Sequence, residues 1–235
     1  MADKNFDIAG YVFPIFSAKP GKGGFHINRF IGSGFWIDSK GHFLTCAHVL
    51  DELEEDLAPV IGHPFGKMRN SFTPILYDEK HSKFDVALGA AKIKEPTTFL
   101  RPYRGSVQPG LDIGAFGFTD AGKVAKSLQL DVHYLKGHIV RTSEESMGLP
   151  TARVVETSFG SPSGFSGTPL LVDFQFAGML YSNIESKLQS YSISEVLDEG
   201  KEIRETAYRV YEYGLAHHPE DIIEFVKACG IKPFE

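Results

Sequence analysis

The chain is 235 residues long, and 42% hydrophobic residues with 24 glycines and 13 prolines exclude a disordered or collagen-like protein. Lys and Arg number 24 against 30 Asp and Glu, a formal net charge of −6 without a basic block, so we expect neither nucleic acid nor a membrane as a partner. The two cysteines, Cys46 and Cys229, are too few for a disulfide scaffold. The first residues lack the apolar run of a secretory signal, and no stretch reaches the ~18 apolar residues of a membrane helix. We therefore expect a cytoplasmic protein.

Short apolar segments separated by turns fill the first three quarters of the chain. The turn sequence Asp38-Ser39-Lys40-Gly41 lies between two of them and is typical of a hairpin. Residues 100–110 contain two prolines and show no periodicity, so they are predicted to link two β units. Closely spaced strands without long intervening helices favour a sandwich or barrel. Strands are predicted at residues 11–16, 30–37, 42–46, 72–77, 85–90, 111–118, 128–134, 137–140, 152–156, 168–172 and 177–182.

The last quarter of the chain has a different pattern. Apolar residues at positions 193, 196, 197 and 203 are predicted to share one face of a helix, which Gly200 interrupts. Residues 206–216 alternate as a strand does. Pro219 fits the first turn of a helix, and the two acids after it suit the positive helix end. An apolar stripe follows and Gly230 is a natural stop, which predicts a C-terminal helix.

Three separated segments carry residue types suited to nucleophilic catalysis. They are residues 44–50 (LTCAHVL), residues 84–88 (FDVAL) and residues 160–171 (GSPSGFSGTPLL). In this order of His, Asp and Ser they resemble the chymotrypsin-like serine peptidase family, especially its bacterial trypsin-like and Deg-type members. The resemblance implies an all-β fold of two six-stranded antiparallel β-barrels with a C-terminal helix. It places an N-terminal barrel at residues 1–103, a second barrel at 104–218 and the helix at 219–235.

The resemblance assigns roles to a Ser-His-Asp triad. A serine hydroxyl is a poor nucleophile at neutral pH and needs a base, which imidazole supplies. A carboxylate on the other imidazole nitrogen fixes the tautomer. By resemblance, Ser166 is the nucleophile, His48 the base and Asp85 the orienting acid, while the amides of Gly164 and Ser166 form the oxyanion hole. We expect no metal and no organic cofactor.

The primary specificity pocket is expected beside the nucleophile. Its base in the family lies six residues before the serine, which here is Gly160, so no acid at that position favours Arg or Lys before the cut. Tyr181 or Ser182 is expected to brace the Asp85 carboxylate. The residues expected to bind substrate are Gly160, Ser161, Ser163, Tyr181, Ser182 and Asn183.

Two features depart from the digestive members of the family. Phe165 stands where those members carry an acid that captures a new N-terminus, so we expect no activation by N-terminal insertion. Residues 185–205 form an insertion between the last two strands. This insertion is predicted to be a lid or partner-binding element, or else an ordinary solvated helical insertion.

The resulting hypothesis is a serine endopeptidase that cleaves a protein or peptide substrate through an acyl-enzyme, with a regulatory protein as a further expected partner. One alternative is a catalytically silent trypsin-like module that binds peptides, and another is an esterase-type hydrolase. The other eight histidines, His81 and His217 among them, show no metal-ligand spacing and are interpreted as structural or surface residues. Cys46 is interpreted as a small buried apolar residue on a strand.

Overall fold

The computed structural model describes residues 10–51, 53–54, 56–64, 71–93, 98–124, 127–145, 152–196 and 202–232. Short β-branched and aromatic segments separated by glycine turns form strands rather than helices, because such side chains pack well on a pleated surface. Thirteen strands and two helices follow within these residues. No helix among the described residues is both long enough and apolar enough to span a membrane.

Six strands form the first barrel. They are β1 (Val12–Gly21), β2 (Gly24–Trp36), β3 (His42–Thr45), β4 (Ala58–His63), β5 (Ser71–Lys80) and β6 (Ala87–Ala91), and they close in the order β1-β2-β3-β6-β5-β4. The short helix α1 (Ala47–Asp51) follows β3. Several strands of this barrel are buried at successive residues, and Ile15, Phe35, Phe43, Leu44 and Leu88 are fully buried in one core.

The remaining strands form a second ring. They are β7 (Arg101–Pro102), β8 (Asp112–Val124), β9 (Ser127–Glu145), β10 (Ala152–Thr157), β11 (Pro169–Val172), β12 (Gln175–Val196) and β13 (Glu202–His217). The order β11-β8-β9-β10-β13-β12 closes through pairing of β11 with β12, and β7 adds to β12 in parallel. The predicted fold of two six-stranded antiparallel barrels is confirmed.

The C-terminal helix α2 (Pro219–Ala228) is also confirmed. The His218 side chain caps it by accepting from the Glu220 amide at 3.3 Å, and Asp221 accepts from the Arg153 amide at 2.8 Å. Two apolar side chains of the helix, Ile222 and Val226, are fully buried in a cluster that contains the core of the first barrel together with residues of β8, β11 and β12. The helix therefore begins at the end of the second barrel and packs where the two barrels meet.

The predicted helix around residues 193–203 is wrong. Residues 175–196 and 202–217 form one long antiparallel hairpin, with pairing that extends from Met179 opposite His217 to Val196 opposite Glu202. Leu197 and Gly200 lie outside the described residues. The segment Ser190-Tyr191-Ser192-Ile193-Ser194 alternates polar and apolar residues, the period of a strand, and this pattern decides against the sparse helical spacing. The insertion therefore prolongs two barrel strands.

The strand predictions also differ from the structure in detail. β4 and α1 were not expected, and the separate strands predicted at 128–134 and 137–140 are one continuous strand, β9. The continuous strand pairs with β8 from Asp112 opposite His138 to Val124 opposite Ser127. Leu135 and Lys136, which separated the two predicted strands, pair with Ala115 and Gly114 and so lie within the strand.

Candidate active site

His48 and Asp85 come from two separate connections of the first barrel. His48 lies in α1 directly after β3, and Asp85 lies between β5 and β6. The backbone N–H of His48 donates to Asp85 Oδ1 at 2.9 Å, and His48 Nδ1 lies 2.5 Å from Asp85 Oδ2. These two contacts fix both the position of the imidazole and the ring nitrogen that faces the carboxylate.

The environment of Asp85 favours its charged form. Burial opposes ionisation, but the hydrogen bonds from the His48 side chain and backbone outweigh it, together with weaker charge interactions with His48 and His217, and the pKa of Asp85 is lowered. An ionised carboxylate requires the Nδ1–H tautomer of the neutral imidazole. His48 Nε2 is then the acceptor nitrogen, as a general base needs.

The same pattern of two contacts occurs at Asp38 and His42. The His42 amide donates to Asp38 Oδ1 at 3.0 Å, and His42 Nδ1 lies 2.5 Å from Asp38 Oδ2. This second pair closes the turn between β2 and β3. The His42 and Asp38 side chains are 20% and 2% exposed, whereas those of His48 and Asp85 are 38% and 28% exposed. A hydrogen-bonded His and Asp therefore do not by themselves identify a catalytic pair. The groups around His48 are needed to distinguish it from His42.

Ser166 lies in a loop between β10 and β11 that turns around a buried phenylalanine. The Phe165 side chain is fully buried in the core of the second barrel. Its amide donates to Pro162 O at 2.9 Å, and its carbonyl accepts from the Thr168 amide at 2.9 Å. Because the chain makes two tight turns around this anchor, the half-buried Ser166 is carried to the surface of a cleft that His48 also lines.

Ser33 in β2 fastens this loop to the first barrel. Its amide donates to Ser166 O and its Oγ donates to Gly164 O, both at 2.9 Å. The carbonyl of Ser33 accepts from Oγ1 of Thr45 at 2.7 Å, and Thr45 lies three residues before His48. A Cβ at Gly167 would lie 2.0 Å from Ser33 O, so this close approach of the two chains requires glycine.

The amides of the loop fall into two groups. The amides of Phe165, Gly167 and Thr168 donate to Pro162 O, Leu180 O and Phe165 O, each at 2.9 Å. Within the described part of the chain, the amides of Gly164 and Ser166 donate to no protein acceptor. Gly164 has a φ of 95°, the left-handed region that favours glycine. These two backbone donors belong to residues that line the cleft, and an oxyanion hole requires free donors of this kind.

The cleft encloses about 550 Å³ and contains most of the predicted substrate-binding residues. Ser161, Ser163, Ser182 and Asn183 line it together with Gly164. Asn183 fixes the loop by accepting from the Ser161 amide at 2.5 Å and donating to Ser161 O at 2.7 Å. The cleft thus brings together His48 and the Ser166 loop, which lie in two of the three segments that the sequence marked.

Two predicted residues lie elsewhere. Gly160 lies behind the lining, where a Cβ would be 2.8 Å from Glu212 Oε2. Tyr181 stacks on the His217 ring, with ring centroids 4.2 Å apart. Sequence reasoning missed Arg29, Phe30 and Asp120, which also line the cleft, because no motif marks them and only the fold brings them there.

Residues 32–179 match the family model described as a trypsin-like peptidase domain. The chain belongs to the trypsin-like peptidase domain family. The matched region contains His48, Asp85 and Ser166. A comparison with curated protein sequences finds no match.

Solved structures similar to this trypsin-like peptidase domain share its fold at low identity. The protease domain of MamO from Magnetospirillum magneticum is 14% identical, with a TM-score of 0.60 over 94% of this chain and 97% of that one. The HtrA-type protease AlgW with a decapeptide is 15% identical, with a TM-score of 0.60 over 94% of this chain and 64% of that one. Rv3671c of M. tuberculosis, in the inactive form of a serine-to-alanine mutant, is 15% identical, with a TM-score of 0.60 over 96% of this chain and 89% of that one. These neighbours confirm the double-barrel fold.

Cys46, His48 and Asp85 of the trypsin-like domain offer three donor atoms that lie within 4.8 Å of one another, a spacing that a metal ion could bridge. Burial raises the pKa of the Cys46 thiol well above its ordinary value, and Cys46 Sγ donates to Leu180 O at 3.3 Å. A metal ligand must be the thiolate, and burial opposes that form. The cluster therefore suits a His–Asp pair beside a neutral thiol better than it suits a cation. Cys46 itself follows β3 rather than lying in it, although it is buried as expected.

His217 is the titratable residue near the site that sequence reasoning interpreted as merely structural. It is the last residue of β13 and is 5% exposed. Burial lowers its pKa to about 4, against an opposing interaction with Asp85. No sequence signal connects His217 with Asp85, because the two residues belong to different barrels.

Proposed function

We propose that this trypsin-like peptidase domain is a serine endopeptidase. Ser166 is the nucleophile, His48 the general base and Asp85 the group that orients His48. The backbone amides of Gly164 and Ser166 bind the oxyanion. Proteins or peptides are the proposed substrates, and the open cleft with Arg29 and Asp120 at its sides suits an extended chain with polar side chains.

The proposed reaction has two halves. Ser166 Oγ attacks the carbonyl carbon of the scissile bond while its proton passes to His48 Nε2, and the resulting oxyanion accepts hydrogen bonds from the two loop amides. His48 then gives the proton to the leaving amine, so that the C–N bond breaks and an ester to Ser166 remains. Water, deprotonated by His48, attacks this ester and releases the acid and the free hydroxyl.

One observation supports this proposal more than any other. The amides of Gly164 and Ser166, which have no protein acceptor among the described residues, border the same cleft as Ser166 and the Asp85-bonded His48. Asp38 and His42 have the same bonding without such a loop. The comparisons support a peptidase-type function for the family, and the residue roles rest on this arrangement.

The test is cleavage of a diverse peptide library, read by mass spectrometry for the wild-type chain, Ser166→Ala and a control variant. Ser106→Ala is the matched control, because Ser106 is an exposed serine outside the cleft. We expect wild type and the control to release the same products and Ser166→Ala to release none. Hydrolysis of activated esters without any peptide cleavage would favour the esterase alternative. Peptide binding that Ser166→Ala leaves unchanged, without hydrolysis, would favour the binding module.

A further inference from the structure

His217 reaches from the second barrel to the acid of the proposed triad. It ends β13, whereas Asp85 belongs to the connection between β5 and β6 of the first barrel. Burial lowers the pKa of His217, and the Asp85 charge and a hydrogen bond to the Asp85 backbone act in the opposite direction. The Nε2 atom of His217 is buried and has no hydrogen-bond partner among the described residues. A buried polar atom without a partner is rare and calls for an explanation.

Aromatic rings hold His217 from two sides. The Tyr181 ring stacks on it with centroids 4.2 Å apart and an interplanar angle of 19°. Phe84, the residue before Asp85, lies 6.4 Å away and stacks in turn on His81 at 4.2 Å. Phe225 of α2 meets the edge of His81 at 5.2 Å. Two stacked pairs, Tyr181 on His217 and His81 on Phe84, therefore lie side by side and pack against the chain segment that carries Asp85.

The two contacts with His48 satisfy only part of the hydrogen-bonding capacity of the Asp85 carboxylate. The two contacts from His48 occupy one acceptor position on each carboxylate oxygen. A carboxylate offers about four such positions, and the segment of Asp85 forms no regular strand or helix. The orientation of Asp85 therefore depends on what packs against it from outside the first barrel.

We propose that His217 is a positioning residue for the proposed triad, which holds Asp85 in the orientation that His48 requires. This inference rests on the proposed function. The structural alternative is that His217 only fills space between Tyr181 and Phe84. Phenylalanine fills the same space without ring nitrogens, so His217→Phe separates the two explanations.

The charged and titratable groups that face His217 belong to several elements. They are Asp85 in the first barrel, Asp221 in α2, which favours a charged ring, and His81, which opposes it. Burial outweighs both acids, so the ring stays neutral near neutral pH. A neutral His217 ring carries no positive charge. It therefore does not compete for the Asp85 carboxylate when His48 takes up the proton of Ser166.

The experiment compares wild type, His217→Phe and the control His138→Phe, which replaces an exposed histidine of β9. A fluorophosphonate measures the activated serine: the Ser166 Oγ–P bond forms, the P–F bond breaks, fluoride leaves and the proton passes to His48. The labelling rate is followed from pH 5 to 9. In parallel, NMR follows the downfield resonance of the proton between His48 Nδ1 and Asp85 Oδ2, which needs no activity.

We expect His217→Phe to slow labelling about tenfold or more across the plateau of the pH profile, since small misplacements of a catalytic group have large effects. The downfield resonance should shift or broaden in His217→Phe and stay unchanged in His138→Phe. If His217→Phe does not fold, Tyr181→Leu removes the ring stacked on His217 and should perturb the same resonance.

An unchanged resonance in His217→Phe overturns the inference, whether or not the labelling rate falls, because the effect then does not pass through the His48–Asp85 pair. A wild-type chain that is folded but never labelled overturns the proposed function instead. In that case the resonance still decides whether His217 positions Asp85.

Discussion

Ser33 Oγ donates a hydrogen bond to Gly164 O at 2.9 Å and thereby joins a strand of the first barrel to the nucleophile loop of the second. The Ser33 amide adds a second bond to Ser166 O. The serine and the histidine of the proposed triad come from different barrels, so their relative position depends on contacts of this kind. Ser33 lies close to both, because its own carbonyl accepts from Thr45, three residues before His48.

We predict that Ser33→Ala weakens catalysis more than stability. Loss of one partly buried hydrogen bond costs about 1 kcal/mol of the free energy of unfolding. Labelling by a fluorophosphonate should slow about tenfold, because the carbonyl of Gly164 loses its anchor and the adjacent amide turns away. The control is Ser17→Ala on the neighbouring strand, a fully buried serine whose hydroxyl makes one long contact of 3.5 Å with Arg29 O. Equal labelling rates for Ser33→Ala and Ser17→Ala would show that the inter-barrel bond has no role in activation.

Asp85→Asn should reduce the labelling rate, whereas Asp38→Asn should reduce stability. The two acids bind their histidines in the same way, but only His48 lines the cleft. Asp85→Asn should reduce labelling on the order of 10³–10⁴-fold, because the amide favours the wrong imidazole tautomer. Asp38→Asn should leave labelling intact and lower the free energy of unfolding by about 1.5–3 kcal/mol, the contribution of a buried charged hydrogen bond. Labelling rates and urea unfolding of both variants provide the measurement. A loss of labelling in Asp38→Asn comparable to that in Asp85→Asn would contradict the assignment.

Gly164→Ala tests the geometry of the two donor amides. A Cβ at this position would lie 2.3 Å from Phe30 Cε1 and 2.7 Å from Phe118 O, at a φ of 95°. The loop must therefore move, and labelling should fall about 10²–10³-fold, the usual effect of losing one oxyanion donor. Gly110→Ala is the matched control, since Gly110 has a φ of 87° with no atom within 4 Å of its Cβ position. Both variants share the left-handed backbone cost of roughly 1–2 kcal/mol, so a similar loss of labelling in both would contradict the account.

His217 should make stability depend on pH. Its pKa is about 4 in the folded chain against 6.5 for a free histidine. Between these values the unfolded chain binds a proton that the folded chain does not, so the free energy of unfolding falls as pH decreases, by about 1.4 kcal/mol per pH unit. The contribution is complete above pH 6.5 and is lost towards pH 4. Urea unfolding at pH 7, 6 and 5 should show this slope in wild type and His138→Phe and a smaller slope in His217→Phe. Equal slopes in all three chains would show that His217 is not buried as a neutral ring.

The sequence predicts the fold well because its two strongest signals agree. Short alternating segments indicate β structure, and the three motifs resemble a family whose fold has two barrels that meet at a cleft. The error at residues 193–203 arose because four apolar positions fit a helical face, whereas Ser190-Tyr191-Ser192-Ile193-Ser194 also fits a strand. Pairing with β13 decides between them, and single-sequence periodicity contains no information on that partner.

The site could be predicted only where its residues lie within motifs. Asp85 and His48 are adjacent in space because β3, which precedes His48, pairs with β6, which follows Asp85. Ser33 was part of a quoted glycine-rich segment, but its hydrogen bond to Gly164 spans the two barrels and has no local pattern. His217 was missed for the same reason, since its burial depends on Tyr181 and on α2 rather than on its neighbours in sequence.

The most direct test of the central claim is the intact mass of the chain after treatment with a fluorophosphonate. We expect a single adduct on wild type, none on Ser166→Ala and none on His48→Ala, because only a serine with a positioned base displaces fluoride at a useful rate. No adduct on folded wild type, or an adduct that persists in Ser166→Ala, would contradict the assignment of Ser166 as an activated nucleophile.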